Sequence, residues 1–198
     1  MKTKILFWPG IGKDLNILKE FIEELRQNGN EIEYFKEDYD IGEMNPTKWD
    51  QVINNDCDWW IGISLGASLL YYAYSYVPIR KRPSRITLIN PFYSRKILSY
   101  EKGFNIDEYW EFNPIEKKNK IKHCEVMVSI FDKNINPYHG LALSTSIKSN
   151  NLNLMLVKSD HTLKLNNVQK KIADILLSYD KRGCKYEKEY NGCYIYKQ

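Results

Sequence analysis

The sequence has no apolar run near the roughly 18 to 20 consecutive residues that a membrane-spanning helix needs. Its amino-terminal stretch Ile5-Leu6-Phe7-Trp8 stops at Pro9-Gly10, short of the roughly 7 to 15 residues of a signal-peptide core. It reads instead as a first strand, and a cytoplasmic location is expected. Cysteine is sparse: Cys57, Cys124, Cys184 and Cys193 form no C-x-x-C pair and no zinc spacing, so free thiols in a reducing compartment are expected. Excess charge is small as well. A net +4 is spread along the chain, with local clusters at Arg80-Lys81-Arg82 and Lys117-Lys118. No nucleic-acid-reading motif accompanies them, so they read as solvated loop faces and no nucleic-acid partner is expected. Gly10 and Gly12 do not complete a G-x-G-x-x-G, and Lys13 does not create a P-loop. With no metal or nucleotide signature, no cofactor is expected. Repeats and low-complexity blocks are also missing. The 198 residues, 43% of them hydrophobic, suffice for one core.

Short apolar runs alternate with helical stretches. Candidate strands are 4–8, 31–35, 58–63, 85–90, 125–131 and 152–157, most of them rich in β-branched or aromatic residues. Ile86–Ile89 and Val126–Phe131 lack polar alternation, as strands covered on both faces do. Leu15, Leu18, Phe21, Ile22 and Leu25 stripe one helix, with Asp14 as a candidate cap and an end near Gly29. A second helix runs from Leu65 to Val77, stopped before Pro78. Val168, Ile172, Ile175, Leu176 and Tyr179 stripe the last, which ends at Gly183. Right-handed crossovers then give a three-layer α/β/α sandwich around a mostly parallel six-stranded sheet.

The tail departs from this pattern. Residues 185–190 and 193–197 flank Asn191-Gly192, the dipeptide that most favours a type I′ hairpin turn. In that register Tyr190 faces Cys193, which leaves Cys184 out of reach for a disulfide. The expected division is a domain over 1–183 and a hairpin appendage over 184–198.

Gly62-Ile63-Ser64-Leu65-Gly66 matches G-x-S-x-G, a pattern that chance supplies in about one chain of this size in fifteen. Its setting is more specific. The motif stands where the strand Trp59-Trp60-Ile61 gives way to the helix Ala67-Ser68-Leu69-Leu70, the strand–turn–helix arrangement of a nucleophile elbow. A sharp turn holds such a serine in strained backbone, and glycines on either side avoid clashes with strand and helix. The competing reading is a serine in an ordinary glycine-rich turn.

A serine needs a base. His123 precedes a strand and so falls at the wrong end of the sheet. His139 follows that strand but opens a helix. His161 follows the strand at 152–157 at the carboxyl edge, where Ser64 also belongs, and is the expected base, with His139 the competitor. Asp132, directly after the strand at 125–131, is the expected group to orient the imidazole. Asp160 adjoins His161, and neighbouring side chains rarely meet in the required geometry. The oxyanion hole is expected from the amides of Leu65 and of Ile11, in the loop after the first strand. Trp8, Phe92, Tyr93, Phe131 and Tyr138 fall near the rim and are candidates to line an apolar pocket. Ordinary sheet–helix packing accounts for each of them equally well.

Together these residues resemble the α/β-hydrolase superfamily over roughly residues 3 to 180. The order Ser64, Asp132, His161 is the order that superfamily uses. Asp132-Lys133-Asn134-Ile135-Asn136-Pro137 is similar to its acid loop, Ser159-Asp160-His161 to its histidine loop, and Asn90-Pro91 is also familiar. Pro9-Gly10 stands where many members have His-Gly, and the two leading antiparallel strands of larger members are not expected. Only Phe92 to Lys122 is available for a cap, with Asp107–Phe112 as one short helix. The resemblance implies a reduced α/β-hydrolase fold and a minimally lidded esterase or thioesterase. Its substrate would be a small-molecule or carrier-bound acyl compound. Acyl transfer by the same triad, and a non-catalytic binding protein on this fold, are the alternative readings.

Overall fold

Six parallel strands form the body of the sheet: β1 (Lys4–Trp8), β2 (Glu31–Tyr34), β3 (Trp59–Ile63), β4 (Arg85–Ile89), β5 (Ile121–Ser129) and β6 (Ser149–Val157). The computed structural model describes residues 3–10, 15–36, 49–94, 101–103, 120–165, 168–182 and 193–197. A seventh strand, β7 (Cys193–Lys197), pairs antiparallel with β6, giving the order β2-β1-β3-β4-β5-β6-β7 among the described residues. The second strand of the expected hairpin is therefore built into the sheet rather than hanging from it. The expected partner strand at 185–190, and Cys184 before it, lie outside the described residues.

The α-helices among the described residues include α1 (Lys19–Gln27), α2 (Asp50–Ile53), α3 (Leu65–Tyr74), α4 (Pro137–Ser146) and α5 (Val168–Arg182). Strand alternation sorts the core into two layers. Ile5 and Phe7 of β1 pack with Phe21, Ile22 and Leu25 of α1 and with Ile172 and Leu176 of α5. Leu6 and Trp8 face the other way, toward Val52 of α2, Leu69 and Leu70 of α3 and Leu143 of α4. The α/β/α sandwich read from the sequence is thus present. Among the described residues no helix is long and apolar enough to cross a membrane.

Several boundaries differ from the sequence reading; α3, for example, ends at Tyr74 rather than Val77. β5 runs from Ile121 to Ser129; its early start is held by backbone pairing, with Ile121 opposite Ser149 and half-exposed His123 opposite Asn151. β6 starts at Ser149, whose polar neighbours Asn150 and Asn151 carry no hydrophobic signal. The Asp14 cap and the short helix at Asp107–Phe112 lie outside the described residues.

A buried ion pair ties the sheet to α5. Arg85 Nε donates to Glu125 Oε1 at 3.0 Å, and an Arg85 guanidinium nitrogen donates to the Leu176 carbonyl at 2.8 Å. Thr87 Oγ1 donates to Glu125 Oε2 and accepts from the Trp59 indole, whose ring lies 3.9 Å below the guanidinium. Removing one partner strands the other charge in the core. Glu125→Ala is expected to cost about 3–5 kcal/mol of stability, read as a lower urea midpoint.

Candidate active site

The backbone at Ser64 is unusual. Its φ of 55° lies in the left-handed region that a residue with a side chain rarely adopts. The surroundings impose this turn. The Ser64 N–H donates to the Ile89 carbonyl at 2.8 Å, and its own carbonyl accepts from Ala67 and Ser68 at the start of α3. Helix and strand approach so closely that a Cβ on Gly62 would lie 2.7 Å from Ala67 Cα. One on Gly66 would lie 2.1 Å from the Pro9 carbonyl oxygen. Both glycines are steric requirements of the elbow.

Asp132 and His161 meet directly. His161 Nδ1 and Asp132 Oδ2 are 2.6 Å apart, and the carboxylate is almost fully buried. Asp132 Oδ1 accepts from the amides of Asn134 and Ile135 at 2.7 and 2.9 Å, which leaves Oδ2 aimed at the imidazole. A carboxylate on Nδ1 places the proton there and frees the lone pair of Nε2. No hydrogen bond joins the Ser64 hydroxyl to His161. Among the described residues the two are linked through main chain and Asn90, whose preceding carbonyl, that of Ile89, receives the Ser64 amide.

The competing histidines are placed elsewhere. His139, the third residue of α4, is completely buried; its Nδ1 accepts the Tyr93 N–H at 3.2 Å, and Nε2 faces Glu101 Oε2 at 3.2 Å. Both of its nitrogens are engaged. His123 lies toward the amino end of β5 beside Asn151. Asp160 turns its carboxylate to the amides of Lys164 and Leu165 and to the Thr162 hydroxyl, away from the His161 ring's partner.

Of the two expected oxyanion donors, Leu65 opens α3, so its amide is one that a helix leaves without an internal acceptor. Ile11 lies outside the described residues. Gly10 just before it runs against the serine: a Cβ there would lie 3.3 Å from Ser64 Cβ. Two of the expected pocket-lining side chains are core residues instead. Trp8 is fully buried and stacks on Phe35 at 3.8 Å, and Phe92 is buried against the α3 layer. The alternation of β1 sends Trp8 inward with Leu6. Tyr93 is half-buried, whereas Phe131 and Tyr138 are 52% and 61% exposed at the carboxyl edge.

One polar residue escaped assignment from the sequence. Asn90, directly after β4, has φ 48° and is buried; its amide nitrogen donates to the His161 carbonyl, and its amide oxygen accepts from Ser129 N–H, both at 2.8 Å. The available signal was its place, a polar side chain closing an apolar strand at the edge that carries Ser64.

No protein-family model matches the sequence, and no curated protein matches it. Solved structures do match. The esterase domain of a Rhodothermus marinus protein superposes with a TM-score of 0.62 at 12% identity, over 91% of this chain and 87% of that one. Est1E from Butyrivibrio proteoclasticus, with ferulic acid bound, gives 0.64 at 13% identity over 91% and 90%. The α/β-hydrolase MGS-MChE2, from a sediment metagenome of the Mar Chica lagoon in Morocco, gives 0.59 at 11% over 93% and 93%. The chain has the α/β-hydrolase fold. In α/β-hydrolase terms Ser64, Asn90, Asp132 and His161 follow four adjacent strands, β3 to β6, at one sheet edge.

The opposite edge of the sheet holds a cluster that could be mistaken for a metal centre. Ligand atoms of Glu33, Asp56 and Cys57 lie within 4.8 Å of one another. Lys4 Nζ already pairs with Asp56 there, which raises the lysine's pKa and lowers the carboxyl's through their hydrogen bond. Burial first, then Glu33 and Asp56, push the Cys57 thiol up to about 12, so it stays protonated and is a poor ligand. Burial likewise raises the Cys124 thiol, and neither cysteine is a nucleophile.

Proposed function

We propose that the protein is a serine hydrolase that cleaves a carboxylic ester or thioester through an acyl-enzyme on Ser64. The observation that carries this reading is the 2.6 Å His161–Asp132 pair at the same sheet edge as the left-handed Ser64. Ser64 Oγ attacks the acyl carbon while His161 Nε2 takes its proton. Asp132 holds the Nδ1–H tautomer and stabilises the imidazolium. The amides of Leu65 and Ile11 receive the oxyanion, and His161 returns the proton to the leaving alcohol or thiol. Water then adds to the acyl-enzyme by the same route and releases the acid. Esterases among the similar folds support this chemistry. Exposed Ile130, Phe131, Tyr138 and Leu165 flank the acid and base loops, which suits an apolar acyl group.

The test is hydrolysis of p-nitrophenyl esters of short and long acids, and of acyl thioesters, by wild type and Ser64→Ala. Turnover by the wild type that disappears in Ser64→Ala is expected. Equal rates for the two proteins would remove Ser64 from the mechanism.

A further inference from the structure

We propose that Asn90 is the positioning residue that sets His161 against Ser64, an inference that rests on the triad reading above. Four hydrogen bonds close a ring. Asn90 Nδ2 donates to the His161 carbonyl, Ser129 N–H donates to Asn90 Oδ1, Asp132 N–H donates to the Ser129 carbonyl, and Asp132 Oδ2 holds the His161 ring. The ring is anchored to the nucleophile from the adjoining peptide, because the Ile89 carbonyl takes the Ser64 N–H and Asn90 N–H donates to Met127. One short segment at the end of β4 therefore bonds to Ser64, to the end of the strand that precedes Asp132 and to the His161 main chain.

The chemistry requires an amide at this position. The His161 carbonyl can only accept and the Ser129 N–H can only donate, so the clamp needs one donor and one acceptor on a short, planar side chain. Asparagine supplies both, and it tolerates the left-handed φ of 48° better than other residues with a side chain. The buried position, 3% exposed, removes water as a competitor for either bond. Asn90 touches no reacting atom; it acts through the main chain of the histidine loop. Misplacing a catalytic base by an ångström costs about 100-fold in rate.

Two variants separate the clamp from the backbone. Asn90→Gly keeps the left-handed turn and deletes both bonds. Asn90→Asp keeps the acceptor for Ser129 and loses the donor to His161. Thermal melting selects whichever variant is folded. The readouts are the rate of fluorophosphonate labelling across pH, and the downfield proton resonance of His161 Nδ1–H in its bond to Asp132. The folded variant is expected to label about 10- to 100-fold more slowly with an altered pH profile, and to shift or broaden that resonance. Wild-type labelling and an unchanged resonance would overturn the role of Asn90. If the wild type fails to label, or Ser64→Ala still labels, the triad reading falls; the resonance alone then decides for or against the clamp.

Discussion

His161→Gln is expected to slow ester hydrolysis by about 10⁴- to 10⁶-fold while leaving the fold intact. Glutamine matches the imidazole in size and can still donate to Asp132 Oδ2, and the His161 side chain is 15% exposed, so little packing is lost. What disappears is the basic nitrogen. Without it the Ser64 hydroxyl attacks as a neutral alcohol, and the leaving group departs without a proton. Asp132→Asn is expected to cost about 10⁴-fold by a different route. An asparagine amide facing Nδ1 makes that nitrogen an acceptor and moves the proton to Nε2, where the base must be free. Steady-state rates on one p-nitrophenyl ester, set beside melting curves, check both. A His161→Gln protein that hydrolyses at near wild-type rate would show that the base lies elsewhere.

Gly66→Ala is expected to destabilise the protein by about 3 kcal/mol or more, at the upper end of what overpacking costs. The added Cβ meets only backbone: the Pro9 oxygen at 2.1 Å, the Trp8 oxygen at 2.4 Å and the Trp8 carbonyl carbon at 2.8 Å. No rotamer change relieves this. Trp8 is registered opposite Gly62 in the sheet, and its ring is packed among Phe35, Trp49 and Trp60. Either β1 must slide from β3 or α3 must tilt from the elbow. Against a typical stability of about 5–15 kcal/mol, such a loss takes a large fraction of the total. Urea unfolding of Gly66→Ala and wild type measures it, and the same clash displaces Gly10 from Ser64.

The elbow was legible because its requirements are local. Gly62 and Gly66 are contiguous with Ser64, and the clashes they avoid follow from the strand–turn–helix order itself. Asp132 and His161 were legible for a related reason: each follows an apolar strand, and a parallel sheet brings all such positions to one edge. Long-range partners were not legible. The engagement of His139 depends on Tyr93 and Glu101, distant in sequence, so its spacing alone left it a competitor. Trp8 reads equally well as rim or core until Phe35 is seen stacked on it. The polar start of β6 carries no hydrophobic signal, since backbone pairing holds it, and the docking of β7 on β6 joins segments distant in sequence. Asn90 was hidden for a related reason, because its side-chain partners are main-chain atoms distant in sequence, at the end of β5 and in the histidine loop.

Ser64 is expected to be the nucleophile, activated by His161 and Asp132. Intact-mass spectrometry after brief treatment with a fluorophosphonate tests it most directly. A single adduct is predicted, mapping to the peptide that contains Ser64, absent from Ser64→Ala and strongly slowed in His161→Gln. No adduct on the wild type, or an undiminished one on Ser64→Ala, would contradict it.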